Sequence, residues 1–231
     1  MKNYTHLLFD VDNTILNFDA AEEAALSTIL STYGPTLDQE SLHATYQKIN
    51  RSMWRAFERG EMTREQLLET RFFETFYIYD ITVDGVALAA EYQALLAEGH
   101  EQVAGAKEVL EALRDIPKYI VTNGIASTQH RRLADSDFAK YFEAIYVSEE
   151  LGYHKPQREF FDIVFNESPE IIPETTLIIG DSLTSDIQGG IVAGIDTCWF
   201  NFHGIDNDTT ITPTYTIDSI EGILALLPKL V

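Results

Sequence analysis

From Val103 onward, short apolar runs alternate with stretches of helical spacing. That alternation confines the chain to a parallel sheet with helices on both faces. Strand-like runs occupy 118–122, 144–148, 176–180 and 196–200, with a weaker one at 215–217. Helical patterns fill 106–114, 127–134, 159–166, 184–193 and 219–227. The runs are apolar on both sides, as strands buried on both faces should be. One further run of this kind, His6–Phe9, stands apart at the beginning of the chain.

Between that opening strand and the others the sequence reads as helix only. Residues 20–30 have helical spacing, with Asp19 placed as the N-cap and Gly34-Pro35 as the stop. A second helix starts near Asp38, carries Leu42, Tyr46, Ile49, Met53 and Phe57 three and four apart, and stops at Gly60. Thr63 and Gln66 form a capping box for a third, which carries Leu67, Leu68, Phe72, Phe73 and Phe76. Residues 86–96 make a fourth, ended by Gly99. The opening strand therefore belongs to the later α/β body, and the helical block is an insertion into it. The expected architecture is α/β: a Rossmann-like parallel-sheet core of residues 1–16 and 99–231, with an inserted all-helical cap of residues 17–98. Ligands of open parallel sheets sit at the carboxyl ends of the strands. An insertion just after the first strand is expected to hang over that edge.

Charge narrows the partners. There are 37 acidic against 16 basic residues, a formal charge of -21. Such a field repels polyanions, which excludes nucleic acid polymers and anionic membranes as partner surfaces. Small anions still bind where a metal and a lysine reverse the local sign. The single cysteine, Cys198, permits no internal disulfide. It lies in an apolar run with no adjacent histidine, so it reads as a buried structural thiol, and a cytoplasmic location is expected. The N-terminus has no signal-peptide core, and no run of about twenty apolar residues is present to span a bilayer.

The chemistry gathers at strand ends. The opening strand runs into Asp10 and Asp12, whose side chains leave extended chain on the same side. Carboxylates at the end of an apolar strand are costly unless paired, and Mg²⁺ is a natural partner. Asn13 and Thr14 supply turn chemistry and a hydroxyl. Thr122-Asn123-Gly124 ends a second strand and offers a hydroxyl and backbone N–H groups to an anion. Lys155, fixed by Pro156, is placed to neutralise a phosphate; His154 beside it reads as a loop residue without a chemical partner. Asp181 follows a third strand, and with Asp10 it gives two carboxylates for Mg²⁺. Asp186 follows near a helix start. Each feature has an ordinary explanation taken singly: a polar turn, a solvated lysine, a helix-dipole acid.

The ordered set Asp10-Val11-Asp12-Asn13-Thr14, Thr122-Asn123-Gly124, Lys155-Pro156 and Gly180-Asp181 with Asp186 resembles the haloacid dehalogenase superfamily of phosphohydrolases. The helical insertion resembles that family's C1 cap, so the likeness spans the chain. The resemblance implies a Mg²⁺-dependent phosphomonoester hydrolase. Asp10 would be the nucleophile that forms an aspartyl-phosphate. Asp12 would be the acid and then the base, with its backbone carbonyl on the metal. Thr122, Asn123 and Lys155 would hold the phosphoryl group, Asp181 would ligate Mg²⁺, and Asp186 would brace the site. Dehalogenases of the superfamily lack the second aspartate, so Asp12 favours phosphate chemistry. A carbon–phosphorus lyase would present a lysine from its cap, and the one cap lysine, Lys48, is mid-helix.

Residues 4–16 and 54–64 resemble the pyrimidine 5′-nucleotidase branch. That likeness implies a small-molecule phosphate ester as substrate, a nucleoside 5′-monophosphate in particular. Trp54 would stack on a base, and Arg55, with Arg51 or Arg71, would meet substrate oxygens. Phosphatases of sugars or other small metabolites, and a non-catalytic binding module, are the alternatives. The oligomeric state is left open.

Overall fold

The computed structural model describes residues 2–227. Met1 and residues 228–231, which the sequence reading placed in the core, lie outside that range. The chain divides into two compact units, one running to Phe18 and resuming at His100, the other Asp19–Gly99. Strands β1 (His6–Phe9), β2 (Lys118–Thr122), β3 (Ala144–Val147), β4 (Thr176–Gly180), β5 (Asp196–Phe200) and β6 (Tyr215–Ile217) all belong to the first unit. The helices are α1 (Phe18–Tyr33), α2 (Gln39–Glu58), α3 (Arg64–Tyr77), α4 (Gly85–Leu96), α5 (Ala106–Ala112), α6 (Ala126–Asp135), α7 (Ser148–Leu151), α8 (Arg158–Glu167) and α9 (Gln188–Ala193).

The six strands form one sheet in the order β3-β2-β1-β4-β5-β6, and every pair is parallel. β1 is central, with Phe9 level with Ile120 of β2 and Ile179 of β4. From β1 the chain winds outward through β2 and β3, then returns to β4 on the other side and winds outward again. The reversal between β1 and β4 opens a crevice at their carboxyl ends. The alternation of strand side chains builds two cores. Leu7, Phe9, Leu177, Ile179 and Cys198 face one way with α5 residues Val109 and Leu110. Leu8, Val121 and Ile178 face the other way, against Phe160, Phe161 and Val164 of α8. Cys198 is buried among these apolar groups, and burial pushes its thiol up to about 12.

The helical unit has its own core. Tyr46, Phe72 and Tyr92 are fully buried, with ring centroids 4.9 and 5.2 Å apart across Phe72. Arg71, expected as a substrate contact, is instead held inside this cluster. It is 2% exposed, its guanidinium lies 4.6 Å from the Tyr92 ring, and it donates to Asn50 Oδ1 at 3.1 Å. The capping box at Thr63 and Gln66 is present in both directions, at 3.1 and 2.9 Å.

Several helix ends differ from the sequence reading. Asp19, read as the N-cap of a helix from residue 20, lies inside the first turn of α1, which starts at Phe18. The Phe18 N–H donates instead to Asn13 Oδ1 at 3.0 Å. Asp38 stands at the N-cap of α2 but makes no side-chain cap bond; its carboxylate accepts from Ser41 Oγ at 2.7 Å. The helix read at 219–227 is a 3₁₀ segment, Ile220–Ala225. The helix read at 184–193 opens as a π-turn, Leu183–Ile187, before α9. Ser148, read as the end of a strand, begins the short α7. Among the described residues no helix is long and apolar enough to cross a membrane.

Leu8 is fully buried at the centre of the sheet. Leu8→Ala should therefore cost about 2–5 kcal/mol, whereas Thr63→Ala, which removes one reciprocal cap, should cost about 1 kcal/mol. Urea unfolding followed by circular dichroism measures both, and a Thr63→Ala loss as large as that of Leu8→Ala would contradict this ranking.

Candidate active site

The crevice between β1 and β4 collects its chemistry from four segments. β1 delivers Asp10, whose N–H is bonded to Ile179 O at 2.9 Å, so the strand pairing fixes the backbone of the carboxylate. β4 delivers Asp181, whose carbonyl oxygen accepts from Trp199 Nε1 at 2.8 Å. The π-turn after β4 swings Asp186 back over the strand end. Gly180 makes this possible, since a Cβ there would stand 2.2 Å from the Asp186 carboxylate. Asp186 Oδ2 then accepts from Ser182 N at 3.0 Å.

Lys155 reaches the same point from the loop before α8. Its ammonium group donates to Asp10 Oδ1 at 2.7 Å, Asp186 Oδ1 at 2.6 Å and Val121 O at 2.6 Å. A lysine has three N–H donors, and all three are used. The side chain is 1% exposed, so the ordinary expectation of a solvated surface lysine does not hold here. The loop that carries it is braced by Asn123. That amide donates to Lys155 O at 2.8 Å and Ser185 Oγ at 3.1 Å, and accepts from Lys155 N at 2.9 Å. The Asn123 side chain is thus committed to the Lys155 backbone and Ser185. Thr122, 1% exposed, accepts from Gly124 N at 3.1 Å, which leaves its own O–H as a donor. His154, read as lacking a partner, is bonded through Nδ1 to Lys155 O at 3.0 Å.

One ligand atom from each of Asp10, Asp181 and Asp186 lies within 4.8 Å of the others. Three carboxylates face one ammonium group, so the cluster has two negative charges in excess. Burial raises the Asp10 carboxyl to about 7; Lys155 opposes the rise, and Asp186 and Asp12 add to it. Burial likewise holds Asp181 well above the usual carboxylate range, with Asp10 and Asp186 adding to the effect. Burial works against the Lys155 cation, but Asp10 and Asp186 outweigh it and raise its pKa. All the anionic donors are oxygens and the excess is that of a divalent ion. The donor set therefore fits a hard cation such as Mg²⁺.

Asp12 stands apart from this cluster. Its Oδ1 accepts from Arg132 Nη1 and its Oδ2 from Gln129 Nε2 at 2.6 Å, both on α6. Neither α6 residue stood out in the sequence. Thr128, Gln129, Arg132 and Leu133 share the buried face of α6, which only the fold reveals. Two long polar side chains on a buried face point to a buried anion. Ser182, Ser185 and Trp199 were missed as well, because their roles depend on backbone positions that only the fold defines.

The remaining sequence candidates, Trp54 and Arg55, lie on α2 of the helical unit. Trp54 is half-buried and packs edge-on against Phe57, with ring centroids 5.7 Å apart. Arg55 is exposed and, with Lys48, Arg51 and Arg59, lines a groove of about 420 Å³.

Comparison with known proteins identifies the family. Residues 7–200 match the family described as haloacid dehalogenase-like hydrolase. The chain is similar to the HAD-hydrolase YfnB of Bacillus subtilis, at 44% identity over 98% of this chain and 97% of the relative. The magnesium-bound crystal structure of YfnB superposes with a TM-score of 0.92, covering 98% of this chain and 99% of that one. It is also similar to the pyrimidine 5′-nucleotidase PynA of Streptococcus pneumoniae, at 40% identity over 98% of this chain and 96% of the relative. A further relative is the pyrimidine 5′-nucleotidase YjjG of Escherichia coli, at 32% identity over 96% of this chain and 97% of the relative. The chain belongs to the haloacid dehalogenase-like hydrolase family.

Proposed function

We propose that the protein is a Mg²⁺-dependent phosphatase of small phosphate monoesters, acting on nucleoside 5′-monophosphates of the pyrimidine type. The observation that carries this reading is the Asp10–Lys155–Asp186 array with Asp181 alongside it and Asp12 two residues beyond Asp10. The likeness to PynA and YjjG, both pyrimidine 5′-nucleotidases, supports the substrate class.

Asp10 and Asp181 would hold Mg²⁺, together with the Asp12 carbonyl. The ion supplies charge neutralisation for a phosphate dianion approaching three carboxylates. Lys155 fixes one Asp10 oxygen at 2.7 Å, leaving the other to attack phosphorus. The Thr122 hydroxyl donates to a phosphoryl oxygen, and Asn123 holds the loop of Lys155 beside it. As the Asp10 oxygen bonds to phosphorus, the ester P–O bond breaks and the leaving oxygen takes a proton from Asp12. Water then attacks the phosphorus of the aspartyl-phosphate and gives a proton to Asp12, and the bond to Asp10 breaks to release phosphate. Positioning and charge stabilisation carry most of phosphoryl transfer, and both are built into this buried array.

A panel of phosphorylated metabolites assayed with Mg²⁺ tests the function. Hydrolysis of pyrimidine nucleoside 5′-monophosphates above sugar phosphates is expected, and the opposite ranking would refute the substrate class. Asp10→Asn should reduce turnover to background while melting remains cooperative, because the amide fills the same space without a nucleophilic oxygen anion.

Metal and protons compete for the same carboxylates. Since the folded state raises the Asp10 carboxyl to about 7, the metal-free fold holds protons that the unfolded chain has released. That stabilisation is complete below about pH 4 and is lost as pH rises through about 7. Mg²⁺ takes the place of those protons, so the rise in Tm on adding Mg²⁺ should be larger at pH 7.5 than at pH 5. Asp181→Asn should abolish most of that rise. Scanning calorimetry with Mg²⁺ and with a chelator measures it, and an equal shift at both pH values would count against metal binding at these carboxylates.

A further inference from the structure

The Asp12 carboxylate is held on both oxygens from α6. Arg132 Nη1 donates to Oδ1, and Gln129 Nε2 donates to Oδ2 at 2.6 Å. Neither donor is a surface group: Gln129 is 2% exposed and Arg132 is fully buried. A buried guanidinium is costly unless an anion meets it in good geometry. Asp12 meets it, and the Phe18 ring centroid lies 5.7 Å from the guanidinium carbon. The route of Gln129 to Asp12 passes over Gly124. A Cβ on Gly124 would lie 2.1 Å from Gln129 Nε2 and 2.6 Å from its Cγ. The glycine that ends Thr122-Asn123-Gly124 thus has a purpose beyond the turn: it leaves room for the amide that holds Asp12.

We propose that Gln129 and Arg132 are positioning residues for Asp12, with Gly124 as the gap through which Gln129 reaches it. This rests on the phosphatase reading, in which Asp12 gives a proton to the leaving oxygen and later takes one from water. A carboxylate on a tight turn would otherwise sample several rotamers. Holding it from a rigid helix sets its direction before substrate arrives. Each oxygen accepts one of these bonds and keeps a second lone-pair direction for the transferred proton. The clamp acts through Asp12, so its loss should show in proton transfer and leave binding unchanged.

The test compares two aryl esters of similar shape in the presence of Mg²⁺. p-Nitrophenyl phosphate releases a group that needs no proton, and phenyl phosphate releases one that does. Arg132→Met and Gln129→Leu should each slow first-turnover release of phenol by about tenfold or more, since positioned proton transfer contributes a factor of about 10² to 10⁴. First-turnover release of nitrophenol should change by less than about threefold and be followed by a slow steady state, because attack by water also needs Asp12. The substrate concentration that half-saturates the first turnover should stay within about twofold, as expected for an interaction that is absent from ground-state binding. Arg132→Lys should recover part of the loss. Gln129→Leu carries the test if Arg132→Met does not fold. Equal slowing of both esters in the first turnover, or no slowing of either, overturns the clamp while the phosphatase reading stands. A wild-type protein that hydrolyses neither ester overturns both.

Discussion

The site depends on one buried ammonium group. Lys155 Nζ joins Asp10 after the first strand, Asp186 on the π-turn and the Val121 carbonyl at the end of the second strand. Each of those groups would be costly to bury alone, and each is tolerated because the same cation satisfies it. The lysine is in turn held in register by the Asn123 amide, which grips its backbone on both sides. Three strand ends and two loops are thereby fixed to a common point, and that is the rigidity that phosphoryl chemistry requires.

The residual negative charge is as important as the bonds. The lysine neutralises part of the acid cluster and leaves an excess that a divalent ion matches. A second lysine in place of that ion would fill the crevice with a fixed group and leave no exchangeable coordination positions for a phosphate. A hard metal retains such positions. The raised Asp10 and Asp181 carboxyls express the same imbalance as proton affinity.

The architecture was legible because its signals are local and repeated. Apolar runs of about five residues alternating with helices leave little besides a parallel sheet, and carboxylates just past such runs mark its working edge. Asp10 and Asp181 were found this way, Lys155 and Asp186 came with the ordered set of motifs, and the structure brings all four together. Signals that depend on the third dimension were lost. Asp19 looked like a cap because the true partner of the Phe18 N–H, Asn13, is five residues upstream across a turn. Arg71 looked like a surface cation because an arginine on an amphipathic helix usually is one, and only the facing helices show its aromatic enclosure. Gln129 and Arg132 were silent because nothing in their own stretch announces a carboxylate more than a hundred residues earlier.

The central position of β1 also governs how the molecule can be made. Its neighbours, aligned through Leu7 with Lys118 and through His6 with Thr176, emerge from the ribosome long after it does. The intervening Asp19–Gly99 unit has its own core and can condense while the strand still waits. A strand made well before either neighbour is therefore among the last to find its partners. Until the second half of the nascent chain appears, that segment is what a chaperone would have to shield.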